Sequence, residues 1–121
     1  MTGVEINTEW KEIDVRNLIK IDKDRHFIAL YLDTPFEEPH GARGIKIPSG
    51  QVINPEIKLI DESGEEYLFV HSGARGTDIS NYSSEKELPK KKVYQKLLIR
   101  SDFPIKTKEI LWSGYDTKDL R

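Results

Sequence analysis

The stretch Leu88–Trp112 constrains the fold of this chain most strongly, because polar and apolar residues alternate along most of its length. Over Val93–Arg100 one set of alternate positions includes Val93, Leu97 and Ile99, and the other set includes Lys96 and Arg100. This two-residue period is typical of a half-buried β-strand. Over Ile105–Trp112 the apolar residues change from odd positions (Ile105) to even positions (Ile110 and Trp112). We therefore expect a β-bulge near Lys108 that returns apolar side chains to the inner face. The short link Asp102-Phe103-Pro104 predicts that the two strands form a β-hairpin on which the fold is built.

Two segments near the start of the chain are also predicted to be extended. Glu12–Ile21 carries isoleucine and valine on one parity, which favours a strand, while a helix that begins after Thr8 is the alternative. His26–Leu32 is an unbroken apolar run, typical of a central strand that is covered on both faces. The polar turn Asp22–Arg25 between them predicts that the two segments form a second hairpin.

A third pair of strands is predicted in the middle of the chain. Val52–Ile60 is apolar at alternate positions, and Pro55 restricts it to a sheet edge or a bulge. The segment Asp61–Gly64 has the composition of a turn in which Gly64 takes a positive φ. Tyr67–Val70 then returns as the hairpin partner.

Two long polar segments separate these strands. Residues 33–50 form the longest predicted loop, within which only Ile45–Ile47 can make a short strand. Residues 71–87 are predicted to be a second loop, with at most one helical turn at Ser84–Glu87. Loops of this length in a compact domain are often functional, so both are candidate binding segments.

The chain is thus predicted to be all-β, with seven or eight short strands. Turn residues recur at roughly ten-residue intervals, which favours an antiparallel two-sheet sandwich or a barrel. We expect a single domain over residues 1–121, with a tail at 113–121 that frays.

One stretch resembles a known family. Leu88-Pro89 followed by Tyr94 and then by extended structure is similar to the tyrosine corner of fibronectin type III and related immunoglobulin-like domains. In that family the tyrosine hydroxyl bonds back to the chain before the strand. The resemblance implies a fibronectin-like or immunoglobulin-like β-sandwich and a bond from the Tyr94 hydroxyl. It implies no functional residues.

Charge and cysteine content exclude several classes of function. Nineteen basic and twenty-one acidic residues give a net charge of -2, which does not favour nucleic acid or a membrane surface as partner. Without cysteine the chain has no disulfide, thiolate nucleophile or cysteine-bound zinc. We expect neither a signal peptide nor a membrane span, which leaves both a cytoplasmic protein and an exported domain without its signal open.

A repeated tetrapeptide is the most unusual feature of the sequence. Gly-Ala-Arg-Gly occurs at 41–44, after His40, and again at 73–76, shortly after His71. If both copies lie in loops at one end of the fold, Arg43 and Arg75 would form a clamp for a carboxylate, sulfate or phosphate. The alternative is that the glycines mark turns and the arginines are solvated.

Other chemistry is less favoured by the sequence. The three histidines lack the spacings of a metal site, so we predict no metal and no cofactor. Motifs for a serine nucleophile, a phosphate-binding loop or a dinucleotide are absent from the sequence. Among the aromatic residues Trp112 is predicted to be core, while Trp10, Phe36 and Tyr115 are open candidates for a binding surface.

These features favour a non-catalytic binding or assembly module that mediates protein–protein interaction, including self-association. The first alternative is a carbohydrate- or small-anion-binding module that uses residues 33–50 and 71–82, with His40, Arg43, His71 and Arg75 as ligand-binding residues. The second is a small hydrolase with a carboxylate pair. A protein-binding module would show an exposed apolar patch or sheet edge, and a carbohydrate- or anion-binding module would show a cleft at the loop end. A hydrolase would show two carboxylates in one pocket.

Overall fold

The computed structural model describes residues 3–16, 18–33, 35–36, 44–75 and 78–116, except the side chains of residues 74 and 75. All the regular structure in these ranges is extended. The strands are β1 (Glu5–Ile6), β2 (Lys11–Asp14), β3 (Arg25–Leu32), β4 (Ile45–Lys46), β5 (Val52–Ile53), β6 (Glu56–Asp61), β7 (Glu66–Arg75), β8 (Ile79–Ser84), β9 (Tyr94–Arg100) and β10 (Ile105–Tyr115).

The prediction of an all-β antiparallel fold is confirmed. Eight strands form one sheet in the order β1-β10-β3-β8-β7-β6-β9-β2, and β4 and β5 form a separate two-stranded sheet. Every strand pair is antiparallel. The two-sheet sandwich stays a prediction, because hydrogen bonds join the eight strands into a single sheet.

The N-terminal segment brings the two ends of this sheet together. β1 and β2 lie at opposite ends of the strand order, yet only residues 7–10 separate them in the chain. In a flat sheet the two strands would be about 34 Å apart, whereas the step from Ile6 to Lys11 spans at most about 18 Å. The sheet therefore curls into a nearly closed barrel, with Asn7 accepting from the Ser101 backbone N–H at 2.8 Å.

The predicted hairpin at the C-terminal end of the chain is wrong, although both of its strands are present. β9 pairs with β2 and β6, while β10 pairs with β1 and β3. The N-terminal segment lies between the two strands and supplies a partner to each. Alternation specifies which face of a strand is buried, but it does not specify which strand lies beside it.

The β-bulge near Lys108 is confirmed. The register of β10 against β3 shifts between Thr107 and Glu109, so that Lys108 is the extra residue. Thr107 and Ile110 are both buried as a result. The N-terminal segment seals the bulge, since the Val4 N–H donates to Thr107 Oγ1 at 2.8 Å. A Cβ at Gly3 would lie 2.0 Å from the Thr107 carbonyl oxygen, so this close approach requires glycine.

The predictions for the first half of the chain are partly confirmed. β3 is a central strand, between β10 and β8. Glu12–Ile21 is extended only at its start, because β2 ends at Asp14 and the chain turns with a bond from the Leu18 N–H to the Val15 carbonyl. The helix alternative is wrong for this segment. The second hairpin is also wrong, since β2 pairs with β9 instead of β3.

The central hairpin is confirmed, with Gly64 at φ 89° in the turn between β6 and β7. Pro55 separates β5 from β6, and Ile45–Ile47 supplies the short strand β4. Most of the predicted loop at 71–87 is strand, because β7 continues to Arg75 and pairs with β8. Likewise β10 continues to Tyr115, so only residues 117–121 of the expected tail lie outside the described part.

The core fills the inside of the curled sheet. Inward side chains of β3, β6, β9 and β10 provide most of it, and the N-terminal segment adds Ile6 and Val15. The largest fully buried side chains are Tyr82, Ile6, Ile28, Leu30, Ile45, Ile53, Ile57, Leu59, Leu97, Ile99, Ile110 and Val15.

A buried aspartate organises the β6–β7 turn. Asp61 Oδ1 accepts from the Ser63 hydroxyl at 2.6 Å and from the Glu65 backbone N–H at 3.0 Å, and Oδ2 accepts from the Tyr67 hydroxyl at 2.9 Å. The Ser63 hydroxyl bond is the main cause that lowers the pKa of Asp61 from 3.8 to about 2, and the Tyr67 and backbone bonds add to it. Burial acts in the opposite direction and is outweighed.

We expect Asp61 to make the fold sensitive to acid. Because its pKa is lower in the folded state, the ionised carboxylate stabilises the protein above about pH 4, and this contribution is lost as the pH falls toward about 2. Urea unfolding of the wild type and of Asp61→Asn should therefore show a gap in midpoint at neutral pH that narrows across this window. A gap independent of pH would contradict this role for the charge.

The bond implied by the family resemblance is present. The Tyr94 hydroxyl donates to the Pro89 carbonyl at 2.7 Å. Burial raises the pKa of Tyr94 to about 12, so the hydroxyl keeps its proton over the ordinary pH range. The membership of the family itself stays a prediction.

Tyr94→Phe is expected to lower the free energy of unfolding by about 1–2 kcal/mol, because it removes this bond and keeps the ring. Thermal or urea unfolding measures the change. Tyr115→Phe is the matched control, because the Tyr115 side chain is exposed on β10, and we expect a change within about 0.5 kcal/mol. Equal effects of the two variants would contradict a specific role for the Tyr94 hydroxyl.

Candidate functional site

The four predicted ligand-binding residues are described only in part. His40 and Arg43 lie outside the described residues. His71 lies in β7, where its ring packs edge-on against Tyr82 with 5.5 Å between centroids. Arg75 ends β7, and its side chain is outside the description. The anion clamp therefore stays a prediction.

The first three residues of the second copy of the repeated tetrapeptide lie in a strand and not in a loop, contrary to expectation. Gly73, Ala74 and Arg75 belong to β7, which pairs with β8. The register shifts between His71 and Gly73, and Gly73 has φ 151° at this irregularity. Gly73 therefore lies at a bulge in a strand. Glycine is common in bulges as well as in turns, which is why the composition of this segment predicted a turn.

A groove on the outer surface of β6 and β7 is the strongest candidate site among the described residues. Its volume is about 410 Å³. Leu68 and Val70 point outward from β7, opposite to the inward Tyr67 and Phe69, and Trp10 forms part of the wall. The remaining lining residues are Asn54, Pro55, Glu56, Ile57, Lys58, Phe69, His71 and Glu85.

Sheet closure places Trp10 at this groove. Residues 7–10 cross from β1 to β2, and the Arg100 Nε–H donates to the Thr8 carbonyl at 3.1 Å. The indole then lies beside two cations, with Lys58 Nζ 4.5 Å and Arg100 Cζ 5.7 Å from the ring centroid. Both distances are within the range of cation–π attraction. Trp10 is nevertheless 39% exposed.

Ion pairs hold the two cations in place. Lys58 Nζ lies 2.8 Å from Glu66 Oε2, and Arg100 Nη1 lies 2.6 Å from Glu56 Oε1. Such surface pairs stabilise a fold by at most about 1 kcal/mol each. Their effect here is geometric, since they restrict the cations that flank the indole and so restrict Trp10 itself.

Leu68 is the most exposed apolar side chain of the groove, at 51%. Leu68 lies near the start of β7, and a single exposed leucine is ordinary on a protein surface, so it becomes informative only beside other apolar side chains. Together with Trp10 and Val70 it lines one groove, with Leu68 and Val70 on β7 and Trp10 in the connection between β1 and β2. Surfaces of this kind are typical of binding sites.

The other aromatic candidates lie elsewhere. Phe36 is buried, and Tyr115 is exposed on β10. Trp112, predicted to be core, is half-buried and packs against the core from outside, and it stacks on the buried His26 with 4.8 Å between ring centroids. The Trp112 Nε1–H donates to the Lys20 carbonyl at 3.2 Å.

No group of three or more metal-ligating side chains comes together within the described ranges. In the same ranges there is no helix long and apolar enough to cross a membrane.

Comparison with protein-family models, with curated proteins and with solved structures finds no match to this chain. The function therefore has to be inferred from the physical properties of the groove.

Proposed function

We propose that this protein is a non-catalytic binding module that recognises another protein through the groove of Trp10, Leu68 and Val70. The observation that carries the proposal is that the exposed side chains of Trp10 and Leu68 line the same groove. Tryptophan is among the residues that contribute most to binding energy at interfaces. A volume of about 410 Å³ suits one or two apolar side chains of a partner.

The alternatives have weaker support. Carbohydrate or small-anion binding through residues 33–50 and 71–82 rests on residues that are largely outside the described part. For a hydrolase, Glu56 and Glu85 line one groove, but Glu56 Oε1 already pairs with Arg100. A fibronectin-like or immunoglobulin-like sandwich would agree with a binding role, and the Tyr94–Pro89 bond is its only support.

Selection from a phage-displayed library of short random peptides tests the proposal. Peptides enriched on the wild type are retested on Trp10→Ala and Leu68→Ser. Tyr115→Ala and Leu18→Ser are the matched controls, because they alter exposed side chains of similar type away from the groove.

The proposal predicts that binding is lost with the two groove variants and kept with the two controls. Binding that survives both groove variants would refute it. Enrichment on a glycan array that requires residues of the 71–82 segment, with no peptide binding, would favour the carbohydrate alternative instead.

A further inference from the structure

A second, smaller recess with a different character adjoins the groove. This recess has a volume of about 140 Å³ and lies where β7 begins and β8 ends. Leu68 and Glu85 line both spaces, so the two lie next to each other. The Glu85 backbone N–H donates to the Leu68 carbonyl at 3.0 Å, which fixes Glu85 at the junction.

The recess carries more negative than positive charge. Glu65, Glu66 and Glu85 line it, with Lys86 as the single cation among its lining residues. Lys58 pairs with Glu66, but neither Glu65 nor Glu85 forms an ion pair with a described residue. Among the described residues, only the neutral Tyr67 hydroxyl lies within hydrogen-bond distance of the Glu65 carboxylate, 3.2 Å from Oε2, which leaves the charge of this carboxylate uncompensated.

We propose that the occupant of the groove is a peptide segment of a partner protein in which a large apolar residue lies next to lysine or arginine. This inference rests on the proposed function and adds the chemistry of the partner. The apolar residue packs against Trp10 and Leu68, and the neighbouring cation reaches Glu85 and Glu65. Complementary charge at the edge of an apolar contact sets orientation and selects among partners.

Two matched arrays of short peptides test the proposal. Both present the same series of phenylalanine, leucine and tryptophan anchors, flanked by lysine and arginine in one array and by aspartate and glutamate in the other. Each array is probed with the wild type, Trp10→Ala, Glu85→Lys and Glu109→Lys. Glu109→Lys changes the net charge by the same amount as Glu85→Lys. Glu109 is exposed on β10, away from the groove, so this variant is the matched control.

The wild type is expected to bind the basic array about tenfold more tightly than the acidic array. Glu85→Lys should remove this preference, Glu109→Lys should keep it, and Trp10→Ala should abolish binding to both arrays. If binding needs Trp10 but has no charge preference, the proposed partner chemistry is wrong and the binding function stands. If binding to neither array needs Trp10, both proposals fail.

A second copy of the chain is the competing occupant. Light scattering after size exclusion, over a range of protein concentration, is expected to show a monomer for the wild type. A dimer that Leu68→Ser converts to a monomer would assign the groove to self-association and overturn the proposal of a partner peptide.

Discussion

Leu59→Ala is expected to lower the free energy of unfolding by about 2–5 kcal/mol. Leu59 is fully buried on an interior strand of the sheet, opposite Tyr67 on one side and Leu97 on the other. The truncation leaves a cavity that strands paired on both sides cannot collapse to fill. Since a small domain has only about 5–15 kcal/mol of stability in total, the loss is a large part of it.

Urea unfolding measures this loss. Leu68→Ala is the matched control, because Leu68 follows Tyr67 on the adjacent strand but faces outward, and its truncation should cost less than about 1 kcal/mol. If Leu59→Ala does not fold, Ile57→Val provides a smaller probe at a buried position, with an expected loss of about 0.5–1.5 kcal/mol. Equal losses at inward and outward positions would contradict the assignment of the core.

Trp10→Ala is expected to weaken the binding of a selected peptide by at least thirtyfold, which corresponds to about 2 kcal/mol. The indole supplies the largest apolar surface of the groove and is held by Lys58 and Arg100. Its loss should lower the stability of the fold by only about 1 kcal/mol, because the indole is 39% exposed and its cation–π contacts are weak.

Trp10→Ala should therefore reduce the affinity for the peptide strongly and the stability of the fold only slightly. Calorimetric titration gives the affinity, and urea unfolding of the same samples gives the stability. Tyr115→Ala, which removes an aromatic side chain of similar exposure (40%), should keep the affinity within about twofold. A large loss of stability in Trp10→Ala would instead assign the indole a structural role in closing the sheet.

Local features of the fold were predictable from the sequence because they depend on neighbouring residues. The parity change before Ile110 predicted the bulge at Lys108, and the Asp61–Gly64 composition predicted the β6–β7 turn. The tyrosine-corner resemblance implied the bond from Tyr94 to Pro89. Each of these depends on a short stretch of chain.

Pairing between distant strands was not predictable in the same way. The predicted hairpin of β9 and β10 is wrong because residues 5–14 pair with both strands, and short strands such as β1 and β2 leave little periodicity in the sequence. The polar residues of β8 likewise concealed a strand whose inward positions are Ser80 and Tyr82. Whether such a segment forms a strand depends more on its pairing with distant strands than on its local propensity.

The candidate groove was only partly accessible to sequence reasoning. Alternation in Tyr67–Val70 places Leu68 on the face opposite to Phe69, but a single outward leucine does not by itself mark a binding surface. Trp10 was an open candidate, but its position beside Leu68 depends on the closure of the sheet by residues 7–10. Sequence reasoning therefore indicated Trp10 as a candidate, but neither Leu68 nor the meeting of the two side chains.

The most direct test of the groove uses the indole N–H signals of the two tryptophans in a ¹⁵N NMR titration with a selected peptide. Trp10 lines the groove, whereas Trp112 donates to Lys20 on another part of the surface and serves as internal reference. We predict that the Trp10 signal shifts to saturation while the Trp112 signal stays in place. A peptide that saturates the protein and leaves the Trp10 signal unmoved would contradict the assignment of this groove as the binding site.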